Sequence, residues 1–322
     1  MLATWLLVTV ISCAIRENGI SLPGKIICRR IYEKRYCIFQ DSNVATRCFD
    51  PYHDGSVEYI ARRWWNTKGG LLGEALHFLG TSRPDQRSDI VDFDSTGKPL
   101  KVLYAASEGE YAWVEFPSWD DTYLLFTTHH RGDPKKQPFE ALMPMVTLRI
   151  LDLRTGEVIQ TLDSIGRPPS YKMCESPWLH DGHRFVYSIS QGPRLIDQRG
   201  DVFARDSSSD GVYMYDMRLG RSVLLLPRAE RPAVSAVGNQ LAYVKEHVLH
   251  VRDVDSGADR SVFTFSDKQD VLRIHWTPDG RYIFVGSAEN GEEPEERLID
   301  VATGKDLSVN GVGMSRGSYS WK

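Results

Sequence analysis

The side chains with the widest chemical range here are two adjacent histidines and an arginine, His129-His130-Arg131. Paired imidazoles hold a metal when carboxylates or further histidines complete the set. No such set stands near them, so no metal and no cofactor is expected. Arg194, Asp197, Arg199 and Asp201 bring alternating charge to one stretch, and Glu289, Glu292, Glu293, Glu295 and Glu296 make an acidic one. A charge run is ordinarily a solvated face, but opposed charges on one face also suit a protein partner or a polar glycan. Trp64 and Trp65 follow Arg62-Arg63. Adjacent indoles stack on sugars or fill a partner's pockets; the alternative is that one packs on the rim and the other is structural.

Several catalytic patterns fail on their own chemistry. Gly313-Met314-Ser315-Arg316-Gly317 spells G-x-S-x-G, yet a hydrolase elbow needs Asp and His downstream, and only five residues follow. Asp206 to Gly211 imitates the start of a calcium loop, but the twelfth position is Met217, which cannot supply the bidentate carboxylate. It reads instead as a turn into a strand. The Arg-Gly-Asp triplets at 131–133 and 199–201 read as turns. His180-Asp181-Gly182-His183 has the composition of a tight turn rather than of a catalytic pair.

The elements that must position these residues recur as a cassette. A turn precedes a second strand at Ser56–Ala61, Tyr123–Thr128, Arg184–Ile189, Gln240–Lys245 and Arg281–Gly286. Third strands follow at Asp89–Asp94, Thr147–Leu153, Val212–Met217, Val248–Val254 and Arg297–Val301. Each runs into an Asp/Gly-type turn closed by Gly97, Gly156, Gly220, Gly257 or Gly304, residues that supply positive φ. A fourth strand comes next, as in EVIQTL, RSVLLL and RSVFTF. The intervals match blades of roughly 40–45 residues plus insertions. The expected fold is therefore all-β: a propeller of about six four-stranded blades within 25–322. The tail 317–321 opens the sixth blade, and Lys25–Gln40 adds strands to it, joining the two chain ends with one strand lacking.

Long insertions separate the second and third strands at Arg62–Arg87, His129–Pro144, Gln191–Asp210 and Ala288–Pro294, the first carrying a Leu71–Leu79 stretch with helical character. The fourth cassette has almost none. Strands alternate direction within a blade, so all four insertions should crowd one face, where binding usually sits. The alternative is solvated, poorly ordered loops. The expected binding face comprises Trp64, Trp65, His129, His130, Arg131, Arg194, Asp197, Arg199, Glu292 and Glu293.

The cassettes resemble the WD40-like repeats of TolB-type six-bladed propellers, which also occur in peptidase propeller domains. The resemblance spans about 45–321 and is sharpest at Trp276-Thr277-Pro278-Asp279-Gly280-Arg281, with Leu298 to Gly304 after it. It implies a fold and leaves function open. A second, shorter likeness runs from Gly192 to Arg199, which is similar to a segment of propeller-type oligogalacturonate lyases. There a His-Glu pair precedes Gly-Pro and the histidine helps hold a metal; here the pair is Ser190-Gln191, which does not supply that ligand.

The N-terminal run Met1–Ile15 carries no charge and is too short to span a bilayer, which needs about 20 residues. It has the length of a signal-peptide core, though without the basic residue that opens one. Val10-Ile11-Ser12-Cys13 resembles a bacterial lipobox with Cys13 as the lipidated residue; Ser12-Cys13-Ala14 also suits ordinary cleavage, and a buried N-terminal strand is the third reading. Setting Cys13 aside leaves Cys28, Cys37, Cys48 and Cys174 of the five cysteines. Cys28 and Cys37 flank Tyr32-Glu33 symmetrically, as a hairpin would place them, where they either form a disulfide or remain two thiols. The 39 basic and 43 acidic residues leave a net charge of −4, which gives no field for nucleic acid.

The expectation is thus an exported protein, periplasmic or held at the outer membrane only through a lipid anchor. It would act as a non-enzymatic binding or assembly module with a protein or glycan partner in the cell envelope. The alternatives are a carbohydrate- or peptide-acting enzyme on a propeller, and an orphan peptidase-type propeller.

Overall fold

Asp/Gly turn chemistry repeats through the chain and sets its strand pattern. The computed structural model describes residues 25–30, 35–40, 47–49, 52–54, 57–65, 70–78, 84–94, 98–130, 146–162, 171–172, 177–189, 210–277, 279–289, 295–307 and 320–321, and among them there is no helix. The strands are β1 (Lys25–Arg30), β2 (Arg35–Gln40), β3 (Arg47–Phe49), β4 (Tyr52–Asp54), β5 (Val57–Trp65), β6 (Gly70–Phe78), β7 (Pro84–Phe93) and β8 (Pro99–Tyr104). Next come β9 (Glu110–Pro117), β10 (Tyr123–His130), β11 (Val146–Asp152) and β12 (Glu157–Leu162), then β13 (Tyr171–Lys172), β14 (Arg184–Ile189), β15 (Gly211–Asp216) and β16 (Arg221–Pro227). The last are β17 (Glu230–Val234), β18 (Gln240–Lys245), β19 (Val248–Asp253), β20 (Asp259–Thr264), β21 (Gln269–Trp276), β22 (Tyr282–Glu289), β23 (Glu295–Asp300) and β24 (Ser320–Trp321).

Two compact units form: Phe49–Met173 with Asp181–Arg228, and Met1–Cys48 with Cys174–His180 and Ala229–Lys322. In the first unit, β4 to β12 make one sheet, joined at its middle by a single parallel bridge of β7 to β9, Ser88 opposite Tyr111. The Ser88 hydroxyl reinforces that bridge by donating to the Ala112 carbonyl at 2.6 Å. The sheet therefore reads as two blades, β4–β8 and β9–β12, and β13-β14-β15-β16 is the third. Leu72, Ile90, Leu103, Val114, Leu124 and Phe126 form a core between the first two blades.

In the second unit, β17-β18-β19-β20 is one blade and β21-β22-β23 the next. Their shared core contains Val244, Leu249, Ile274, Trp276, Ile283 and Ile299. Trp276 joins the two blades by donating its indole N–H to the buried Ala233 carbonyl at 2.9 Å. The third sheet of this unit is β24-β1-β2-β3, which joins the two ends of the chain: Ile26 lies opposite Trp321 and Ile27 opposite Ser320. The strand lacking in the sequence reading is β3.

One turn serves the third-to-fourth connection in blade after blade. Asp152 and Asp216 accept backbone N–H bonds from the residues two and three positions on, and Asp253 and Asp300 from the residue three on. Gly156, Gly220, Gly257 and Gly304 then close the turn at φ between 61° and 77°. The first-to-second turns use Ser or Thr followed by Asp: the Ser118 hydroxyl donates to Asp120 and the Thr277 hydroxyl to Asp279, each at 2.6 Å. Asp181 takes the N–H groups of His183 and Arg184 at 3.0 and 2.9 Å, as Asp279 takes that of Arg281. The His180 to His183 stretch is thus the turn its composition indicated.

The first blade departs from expectation. Residues 71–79 are not helical: β6 occupies most of that stretch and pairs with both β5 and β7. Leu72 and Ala75, spaced as on a helix, are both buried strand residues in a hairpin whose partner strand is bulged between Ala61 and Arg63. The bulge shifts the alternation that the sequence pattern relies on.

Candidate binding face

Each blade has two unlike ends. At one, the connections are the short, side-chain-capped turns just described. At the other, the second strand leaves for the third through residues 79–83 (between β6 and β7), 131–145, 190–210 and 290–294 in the first, second, third and fifth blades. The fourth blade makes the same connection with Glu246 and His247 alone, at φ 50° and 61°, the values of a two-residue hairpin turn.

In the first unit, the base of this end is a buried ionic network. Glu110 opens β9 opposite His130, the last residue of β10, and is 2% exposed. Its carboxylate pairs with the Arg149 guanidinium on β11 at 3.1 Å and accepts from the Tyr104 hydroxyl on β8 at 3.0 Å. Arg149 also donates to the Tyr104 oxygen at 2.7 Å, and its cation lies 5.8 Å from that ring's centre. Burial first, and then the hydrogen bond to Glu110, push the Tyr104 hydroxyl up to about 12, so it stays protonated. The same carboxylate takes the Ser107 N–H at 3.0 Å, and Asp89 takes that of Ala106 at 2.9 Å. The network therefore fixes the 105–109 linker between two blades beneath the point where 131–145 departs. Its groups are committed to one another, which makes it a platform rather than an acid–base pair.

The sequence-derived positions fall as follows. His129 and His130 end β10, with His129 opposite Tyr111 and Val146. Trp64 and Trp65 are not in a long loop but end β5, opposite Leu71 and Gly70; Leu71 in turn lies opposite Phe93, so both positions stand at the capped-turn end of their blade, away from the end where the expected face lies. Glu289 ends β22, and Glu295 and Glu296 open β23, so the acidic insertion is shorter than its charge run. Arg131, Arg194, Asp197, Arg199, Glu292, Glu293 and Cys13 lie outside the described residues. Cys28 and Cys37 are directly opposite in the β1–β2 register. Among the described residues no group of three His, Cys, Asp or Glu is placed to hold a metal.

Glu110, Arg149 and Tyr104 were missed from the sequence. One signal was there: Glu110 falls on the same alternating face as Ala112, Val114 and Phe116, all buried, where a carboxylate needs a partner.

No protein-family model matches the chain and no curated protein sequence is similar to it. Solved structures do resemble it. TolB from Acinetobacter baumannii superposes with a TM-score of 0.56 at 17% identity, over 92% of this chain and 66% of that one. A puromycin hydrolase mutant gives 0.57 at 14% identity, over 91% of this chain and 46% of the hydrolase. An oligogalacturonate lyase from Vibrio parahaemolyticus gives 0.51 at 14% identity, over 87% and 78%. This chain thus spans less than two thirds of the first two. At these identities the likeness establishes the fold, a β-propeller of the kind seen in TolB, and leaves open which of several functions it carries.

Proposed function

We propose that this propeller is a non-catalytic binding or assembly module of the bacterial cell envelope, docking a protein partner at the end that bears the long connections. The observation that carries the reading is the asymmetry of the blades: capped turns at one end, and at the other connections such as 131–145 and 190–210. Long connections rooted in a rigid base are where a propeller can vary its surface without disturbing blade packing. The Glu110–Arg149–Tyr104 network supplies such a base in the first unit. His129, His130, Arg131, Arg194, Asp197, Arg199, Glu292 and Glu293 are the residues assigned to the face, and a polar glycan is the second class of ligand they would suit. Trp64 and Trp65 stand at the other end of their blade. The apolar N-terminal run and the lipobox-like 10–13 support export with lipid on Cys13. The direct opposition of Cys28 and Cys37 supports a disulfide in an oxidising compartment.

Photo-crosslinking in the native host tests the docking claim. A crosslinkable residue is placed within 131–145 or 190–210, and in control chains at Gly156 or Gly220. A discrete adduct from the loop positions and none from the turn positions is expected. Adducts of equal yield from both ends, or none from either, would remove the assignment. Intact mass from the membrane fraction, before and after reduction, tests the lipid and the disulfide. An unprocessed chain whose mass is unmoved by reduction would sink both.

A further inference from the structure

In the second unit, the end that bears the connections holds an arginine that pairs with no carboxylate among the described residues. Arg231 is the second residue of β17, the first strand of its blade. Its Nε is buried without a hydrogen-bond partner, and among the described residues its guanidinium makes no hydrogen bond and no ion pair. Glu230 and Asp270 are near enough to act on it through space, but neither pairs with it. A buried N–H that has lost water and gained no acceptor is costly, while the rest of this half-buried guanidinium stays open to a ligand.

The backbone is strained at the same place. Arg231 sits at φ 54° and precedes Pro232, a position in which the following ring drives a residue toward extended conformations. The strand pairing slips between Glu230 and Ala233, which makes a bulge of Arg231 and Pro232. β21 packs beside β17 and slips as well, between Val271 and Arg273, leaving Leu272 39% exposed. Two neighbouring first strands thus each break their ladder near the same end. Bulges of this kind re-aim side chains. Here they release Arg231 and Leu272 from the ladders of adjoining strands, with the exposed Glu230 and Asp270 close enough to act on the arginine.

We infer that Arg231 is a ligand-recognition residue, which receives a carboxylate of a partner segment whose neighbouring side chains are cationic. The planar fork of a guanidinium matches a carboxylate with two parallel hydrogen bonds. Glu230 and Asp270 disfavour a bare anion and favour one flanked by ammonium or guanidinium groups. Leu272 offers an apolar contact alongside. The inference rests on the binding-module reading and names the chemistry of the partner.

The test uses the full chain and the acetylated, amidated tripeptide Lys-Glu-Lys, with Lys-Gln-Lys and glycine as comparison probes, at constant ionic strength. Calorimetric titration should show Lys-Glu-Lys binding at least tenfold tighter than Lys-Gln-Lys, and Arg231→Gln should erase that difference. Arg231→Lys, which keeps the charge and loses the fork, should fall between. Arg231→Met should melt no lower than the parent without ligand, since it removes an unpaired charge. Equal binding of the two peptides, or an unchanged preference in Arg231→Gln, would overturn the inference. A large fall in Tm for both Arg231→Met and Arg231→Lys would make the arginine structural and overturn it too. Glycine binding as well as the peptide would overturn the choice of a protein segment. Failure of loop-dependent crosslinking with the Arg231 preference intact would count against the docking end alone, so the two readings fail separately.

Discussion

Arg149 donates a hydrogen bond to the hydroxyl of Tyr104 at 2.7 Å, and both side chains converge on the buried carboxylate of Glu110. The three residues come from β11, β8 and β9, so one polar contact fastens two blades. Glu110→Ala leaves a half-buried guanidinium unpaired and should cost about 3–5 kcal/mol. Tyr104→Phe removes both hydrogen bonds of the hydroxyl, to Glu110 and from Arg149, and should cost about 1–3 kcal/mol. Urea unfolding of the two variants and of the double variant should give a coupling of about 1 kcal/mol or more. Strict additivity would mean that the residues act independently.

Trp276 makes the corresponding contact in the second unit through its indole N–H. Trp276→Phe removes the donor to the Ala233 carbonyl and part of a buried ring. The expected loss is about 2 kcal/mol by chemical denaturation. A loss below about 0.5 kcal/mol would show that water or a rearranged backbone replaces the bond.

Acid should act through the capped turns. The Asp152 carboxyl is held down to about 2, first by its hydrogen bond from Arg154 and then by the backbone N–H groups it accepts. Backbone bonds from Ser256 and Thr303 lower Asp253 and Asp300. A carboxyl with a lowered folded pKa contributes stability that is complete above its unfolded value of about 3.9 and is lost as pH falls through the folded value. Tm should hold steady from pH 7 to about 5 and drop between about 4 and 2. Asp152→Asn keeps an acceptor oxygen but cannot titrate, so its melting curve should fall less over that window. A fall as steep as the parent's would place the acid sensitivity elsewhere.

Two glycines with the same role separate backbone strain from crowding. Gly220 and Gly304 both close third-strand turns at positive φ, 61° and 69°. A methyl group at Gly220 meets open space, whereas at Gly304 it lands against the Val262 carbonyl. Gly220→Ala should cost about 1 kcal/mol from the left-handed backbone alone. Gly304→Ala should exceed it by at least about 1 kcal/mol. Equal losses in guanidinium unfolding would mean that the Val262 strand yields without penalty.

Much of the fold was legible because its punctuation is local. Asp152, Asp216, Asp253 and Asp300 cap their own turns within three residues, so the cassette can be counted from the chain alone. The β6 strand was misread because Leu71, Leu72 and Ala75 mimic helical spacing, and only the β5 partner decides otherwise. Trp64 and Trp65 were placed in a loop for the same reason, since β5 runs on where a turn was expected. The Glu110–Arg149 pair joins residues on different strands, and no local pattern specifies which cation meets which carboxylate. Arg231 gave no signal beyond standing before a proline; its significance comes from the bulge and from its buried Nε, which finds no acceptor among the described residues.

The seam between β24 and β1 has a kinetic meaning. Ser320 and Trp321 pair with Ile27 and Ile26 across almost the whole length of the chain, the most non-local strand pairing among the described residues. Its entropy of closure is met only after the intervening strands have shortened the distance between the partners. The seam therefore forms last, when a chain emerging from a ribosome or a translocation channel has already collapsed behind it. Two register pairs hold it among the described residues, so it is also a place where unfolding can begin with little loss. A latch that fastens late and releases first allows the other sheets to assemble in sequence before the end strand commits them.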